Sequence, residues 1–148
     1  MAHITIRSRE NTPGLVTRDA ITEPEIRGKL SEGDLGTIVF TYHPGGPDKL
    51  QLFEVEVEPN GELSPHGHHH DEILYVLEGE MHLGGRILRE GTSVYIPAMT
   101  AYLIKAGSRG LRFLNFFGRG DGGYLHRSDL MVMRGATDTV AATDLIDE

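Results

Sequence analysis

Residues 52–59 read LFEVEVEP, in which Phe53, Val55 and Val57 alternate with Glu54, Glu56 and Glu58. Only an extended strand sends successive side chains to opposite faces, so this segment reads as a strand with one face buried and the other acidic and wet. Pro59-Asn60-Gly61 ends it. Further strand candidates are TIVFTYH (37–43), EILYVLEGEMHL (72–83), RILREG and TSVYIP (86–97), AYLIKAG (101–107) and LRFLNFF (111–117). Gly84-Gly85 makes a two-residue hairpin turn between Leu83 and Arg86. Nineteen glycines and seven prolines punctuate these runs. Short strands, evenly spaced and joined by turn residues, build a sandwich, jelly roll or barrel, so the expected fold class is all-β.

The run Ile73-Leu74-Tyr75-Val76-Leu77 is apolar at every position, which implies cover on both faces of its strand. One face points into the barrel. The other is covered by the N-terminal segment or by a second subunit, and a homodimer is expected. The core barrel is expected over residues 37–118 of a single domain spanning 1–148. In the N-terminal extension (1–36), TEPEIRGKLSEGD reads as one short helix after a Thr22 or Glu23 cap, with Pro24 in its first turn. Residues 119–148 are expected as a C-terminal flap or tail, with HRSDLMVMR (126–134) as a strand or covering flap. A net charge of −8 argues against nucleic acid or an anionic membrane as partner, since both need a positive face. The lack of cysteine excludes disulfides, thiolate metal sites and thiol nucleophiles. With no secretory signal at the start and no long apolar stretch, a cytoplasmic location is expected.

The stretch PHGHHHDEILYVLEGE (65–80) holds half of the eight histidines. Strand residues i and i+2 share a face, so His66 and His68 point the same way. His69-His70-Asp71 then makes a turn, and Glu72 opens the apolar strand, where a carboxylate is costly to bury unless paired or coordinated. Two neutral imidazoles and one carboxylate from adjacent strands form a 2-His-1-carboxylate set, which leaves up to three positions open on an octahedral ion such as Fe(II). His66, His68 and Glu72 are therefore the expected metal ligands; the competing reading is a solvated His-rich turn. The cofactor would be a divalent transition metal, and Fe, Mn, Zn, Ni and Cu all suit these donors. His3, His43, His82 and His126 are expected to be solvated or hydrogen-bonded.

Gly61, then His66, Gly67, His68, three residues, Glu72, six residues and Gly79 resemble the first conserved motif of the cupin superfamily, one residue short between its opening glycine and first histidine. Gly91, five residues, then Pro97 resembles the start of the second motif. The resemblance implies a single-domain jelly-roll β-barrel of six to eight strands with a metal inside. Its ligands would be His66, His68, Glu72 and a further histidine from the second motif. That motif calls for glycine at 99, histidine at 102 and asparagine at 106, where this chain has Met99, Tyr102 and Ala106. Three roles compete for Tyr102: a core tyrosine filling the space of the missing imidazole, a hydrogen-bond donor or general acid beside the metal, or a phenolate ligand.

The resemblance implies a menu of dioxygenation, isomerisation, lyase or cyclase chemistry, and fold does not select among them. The leading expectation is a metal-dependent oxidoreductase of dioxygenase type acting on a partly apolar small molecule, aromatic or dicarbonyl, with Tyr102 as the catalytic candidate. The alternatives are a non-enzymatic sensor or carrier, a cupin isomerase or cyclase, and a metal-free acid–base enzyme using the histidines. Phe40, Tyr42, Phe53, Val76, Phe113 and Phe117 are expected to line the barrel, with Gln51, Asn115 and Tyr102 as its inward polar groups. Gln51, Phe53 and Asn115 are the expected substrate contacts. Arg112 and Arg119 would either hold an anionic substrate group at a barrel mouth or pair with surface carboxylates.

Overall fold

The computed structural model describes residues 2–118 and the backbone of Leu125–His126. In chain order its strands are β1 (Gly14–Val16), β2 (Ile38–Gly46), β3 (Lys49–Val57), β4 (His66–Gly67), β5 (Glu72–Leu83), β6 (Arg86–Leu88), β7 (Ser93–Ile96), β8 (Ile104–Phe117) and β9 (Leu125–His126). Three single-turn helices, α1 (Thr17–Ala20), α2 (Pro24–Arg27) and α3 (Glu32–Leu35), lie between β1 and β2. Seven strands form one antiparallel sheet in the order β1-β2-β3-β8-β5-β6, with β7 also on β5, while β4 pairs with β9. β7 and β6 follow one another along the same edge of β5, β7 on Glu72–Tyr75 and β6 on Met81–Leu83. This is an all-β jelly roll.

Most strand boundaries follow the alternation in the sequence, and β5 spans 72–83 as read there. The loop Gly84-Gly85 joins the paired residues Leu83 and Arg86 with both glycines at positive φ. AYLIKAG and LRFLNFF, expected as two strands, are instead one: β8 spans Ile104–Phe117 and pairs with β5 on either side of a bulge at residues 107–110. The register shifts twice around Gly79, whose φ is +81° and whose missing side chain lets the backbone of Gly110 approach; a Cβ there would lie 2.1 Å from the Gly110 oxygen. The single helix expected near residues 22–34 is also corrected. Pro24 starts α2 after Glu23 as read, but the segment stops at Gly28, and Ser31 caps a separate helix, α3.

Val57, Leu74, Val76, Met81, Leu111 and Phe113 form the core between the sheet faces. On β5 the burial alternates, so Leu74 and Val76 point inward while Ile73 and Tyr75 stay 39% and 41% exposed on the outside. The N-terminal segment does not cover them. Its anchor is Arg9, which stacks its guanidinium 3.4 Å over the Phe40 ring and pairs with Glu54 and Glu56. That contact overturns the expected inward facing of Phe40 and Tyr42. Phe40 is buried under Arg9, and the Tyr42 hydroxyl donates to Glu54, on the acidic outer face of β3. Their neighbour Val39 faces the interior instead. Among the described residues no helix is long and apolar enough to cross a membrane.

Candidate metal and substrate site

β4 is two residues long, yet its backbone is tied firmly. His66 and Tyr102 exchange both of their backbone hydrogen bonds, at 3.0 and 2.9 Å, and Met99 N–H donates to the His68 carbonyl at 2.7 Å. Met99 has φ +62°, so the chain keeps a left-handed backbone where the motif has glycine, at a cost of about 1–2 kcal/mol. His69-His70 form a bend, as the sequence implied, and Asp71 anchors its far side by accepting from Ala98 N–H and the Tyr95 hydroxyl. Those two bonds, the tyrosine's first, hold the Asp71 carboxyl below its ordinary pKa.

His66 and His68 both face the interior, their rings nearly perpendicular with centroids 5.3 Å apart. His66 Nδ1 lies 2.8 Å from the carbonyl oxygen of Ser64. A carbonyl only accepts, so Nδ1 carries the proton and Nε2 is the nitrogen with the lone pair. Glu72, at the first position of β5, is 2% exposed. The Tyr102 hydroxyl donates to its Oε1 at 2.5 Å and the Asn115 amide donates to its Oε2 at 2.8 Å. Both donors suit an ionised carboxylate, and both are neutral. His68 Nε2 stands 4.0 Å from Oε1, close enough to supply positive charge when protonated.

Tyr102 is 1% exposed, and its ring lies 4.6 Å from that of His66. Its hydroxyl bonds to Glu72, and its ring stands where the motif has an imidazole. Asn115 Oδ1 is buried without a hydrogen-bond partner. Above these groups lies a cavity of about 850 Å³, within the range of small-molecule sites. Gln51, Phe53, Phe113, Asn115 and Phe117 line it, together with His66, His68 and Tyr102. Val76, expected there, is in the packed core instead. Ile21, Ile26 and Leu30 of the N-terminal segment close one side. Glu72 sits behind the wall made by His68, Tyr102 and Asn115.

Among the described residues no three His, Asp or Glu side chains are already gathered around one point. The donor chemistry nevertheless fits a borderline divalent ion. Two ligand atoms about 2.1 Å from one ion lie about 3–3.5 Å apart, and the 4.0 Å between His68 Nε2 and Glu72 Oε1 exceeds that by about 0.5–1 Å. His66 already has the tautomer that ligating imidazoles show, with the far nitrogen on a carbonyl.

Other candidates fall elsewhere. Arg112 is on the outer face, pairing with Glu54 and Glu78, away from the cavity. Arg119, the side chain of His126 and the segment 127–134 lie outside the described residues. His3 is exposed and His43 half-buried, and His82 keeps a buried Nε2 without a partner. Asp34 and Ser64, which bond to each other beneath His66, were not singled out by sequence reasoning. The only signal was the Ser31-x-x-Asp34 pattern, which marks a helix start rather than a site.

Comparison with known proteins agrees with this architecture. Residues 53–117 match the model of the cupin domain family. A polyketide cyclase from Streptomyces resistomycificus superposes with a TM-score of 0.62 at 23% identity, over 89% of this chain and 94% of the other. An RmlC-like cupin from Ralstonia eutropha gives 0.61 at 12% identity, covering 88% and 84%. A cupin-2 domain protein from Rhodospirillum rubrum gives 0.58 at 16%, covering 91% and 88%. No curated protein matches the sequence. With the motif, the jelly roll and the family match in agreement, residues 53–117 form a cupin domain.

Proposed function

We propose that the whole chain is one metal-dependent cupin enzyme of dioxygenase type, acting on a partly apolar small molecule held in the barrel. The observation that carries this reading is the facing of His68 Nε2 and Glu72 Oε1 at 4.0 Å, beside an apolar-walled cavity of about 850 Å³. His66, His68 and Glu72 would hold the ion. When bound, a divalent transition metal supplies Lewis acidity towards a substrate oxygen and a place to orient reactants.

The chain's own residues do the rest. Phe53, Phe113 and Phe117 offer flat apolar walls that suit an aromatic or dicarbonyl substrate and exclude water. Gln51 and Asn115 are the polar groups that orient it. Tyr102 lines the cavity with its hydroxyl 2.5 Å from Glu72 Oε1, and turning that proton from the carboxylate to a substrate oxygen would make it a general acid. That same Tyr–Glu pair favours a second reading, cyclase or isomerase chemistry, in which a proton moves without a redox partner. The similar polyketide cyclase agrees with that alternative. We further propose a homodimer closed over Ile73, Tyr75 and Tyr95, which are exposed on the outer sheet face.

Elemental analysis of untagged protein purified without a nickel column tests the site. Near-stoichiometric metal, lost in His66→Ala and Glu72→Ala, is expected. Trace metal unaffected by either change would overturn it. Oxygen uptake by the Fe(II)-loaded protein with aromatic and 1,3-dicarbonyl compounds then separates the readings. Substrate converted at unchanged mass without uptake selects the cyclase or isomerase, and a ligand bound but returned intact selects a carrier.

A further inference from the structure

We infer that Asp34, acting through Ser64, is the positioning residue that fixes which nitrogen His66 presents to the cavity. Asp34 belongs to α3, in the segment that precedes the barrel, and is 8% exposed. Its carboxylate accepts from Ser31 N–H at 2.8 Å, from Ser64 N–H at 3.1 and 3.0 Å, and from the Ser64 hydroxyl at 2.5 Å. Ser31 closes the cluster from the other side, its N–H donating to Ser64 Oγ at 3.0 Å and its hydroxyl to the Glu62 carbonyl at 2.6 Å.

The consequence falls on one carbonyl. Ser64 precedes Pro65, which restricts it to extended backbone. Asp34 holds the Ser64 N–H and hydroxyl, the latter also 3.2 Å from the Lys29 carbonyl, and the extended backbone of Ser64 brings its carbonyl 2.8 Å from His66 Nδ1. The ring therefore carries its proton on Nδ1 and presents Nε2. A hydrogen-bonded carbonyl or carboxylate behind a ligating histidine is worth about ten- to a hundredfold in metal affinity. Here the N–H and hydroxyl of Ser64, the residue that supplies this carbonyl, donate to a carboxylate thirty residues earlier in the chain. The N-terminal segment thereby becomes part of the site instead of an appendage to the barrel.

The inference rests on the proposed role of His66 only in its second readout. The first is the histidine tautomer in metal-free protein, read from ¹⁵N NMR shifts. His66 in the wild type should be the Nδ1–H form. Asp34→Ala should give a mixture of tautomers at His66 and leave His82 unchanged, and Asp34→Asn, which keeps an oxygen for the Ser64 N–H, should restore the single form. The second readout is Zn(II) affinity by chelator competition, expected to fall about ten- to a hundredfold in Asp34→Ala. A His66 tautomer unchanged in Asp34→Ala overturns the inference. If the tautomer shifts but the wild type binds no Zn(II), the positioning stands and the metal reading fails. Should Asp34→Ala not fold, Ser64→Ala removes the hydroxyl's bonds with Asp34, Ser31 and Lys29 and keeps the Ser64 N–H bonds to Asp34. It should still produce a minor Nε2–H population, and its absence there would be equally decisive.

Discussion

Replacing Tyr102 by phenylalanine isolates one hydroxyl at the centre of the site. The ring is buried and its packing beside His66 survives the change, so the loss falls on the hydroxyl, whose bond to Glu72 Oε1 is 2.5 Å long. Hydrogen bonds to charged groups contribute about 1.5–3 kcal/mol, and the carboxylate oxygen left behind is buried, so a cost of about 2 kcal/mol is expected in metal-free protein. Urea unfolding of chelator-treated wild type and variant should show it as a lower midpoint at unchanged slope.

Metal binding should respond in the opposite direction. A ligand tyrosine would take affinity away when removed, whereas a donor that competes for Oε1 would return the oxygen to the ion. If the whole bond is surrendered on metal binding, about 2 kcal/mol corresponds to about 30-fold tighter binding; if the oxygen serves both partners, affinity stays as it was. Zn(II) competition titrations should therefore place Tyr102→Phe between those limits. Affinity weakened more than about tenfold, the equivalent of 1.4 kcal/mol, would make Tyr102 a ligand and refute the reasoning. A destabilisation too small to resolve would show that the hydroxyl does not hold Glu72.

Three further outcomes are expected. Gly79→Ala forces a left-handed alanine whose Cβ overlaps the Gly110 backbone oxygen, so a loss of at least about 2 kcal/mol in thermal or urea unfolding is expected, and wild-type stability would contradict the crossing described here. Burial, then the Glu54 carboxylate, raises the Tyr42 hydroxyl above its ordinary pKa of about 10. The folded protein thus keeps a proton that the unfolded chain releases, and this contribution is full below about pH 10 and lost as pH rises through the folded value. Tyr42→Phe should flatten part of the alkaline decline of the urea midpoint, leaving the share of Tyr95, which its bond to Asp71 also raises; an unchanged slope would count against the assignment. Tyr75→Lys should turn a dimer into a monomer in sedimentation at micromolar concentration without changing metal content, and a monomeric wild type would remove the proposed interface.

What was legible in the sequence is what local geometry enforces. The alternation of Phe53, Val55 and Val57 with three glutamates determines the two faces of β3 wherever the strand is placed, because the period of two belongs to the backbone itself. The same period put His66 and His68 on one side, and the apolar strand after Glu72 marked that carboxylate as one needing partners. The errors arose where a distant segment decides the outcome. Gly107 to Gly110 has the composition of a turn, yet pairing of the flanking residues along β5 makes it a bulge within one strand. Phe40 and Tyr42 looked inward because apolar residues usually do, but Arg9 provides a cover outside the barrel.

The polar partners of the site show the same division. Spacing from Pro97 located Tyr102, but its 2.5 Å approach to Glu72 comes from the packing of two distant strands. Asp34 and Ser64 are separated by thirty residues and meet through hydrogen bonds, which leave no periodic trace in a sequence. Each of the three proposed ligands is thus placed by a short pattern, while its orientation is set by a residue far along the chain: His66 by Ser64 and Asp34, His68 by the backbone of Met99, and Glu72 by Tyr102 and Asn115. Substitutions that keep the motif intact should therefore still alter the site when they fall on those supports, and the Asp34 and Tyr102 variants probe that dependence at His66 and at Glu72.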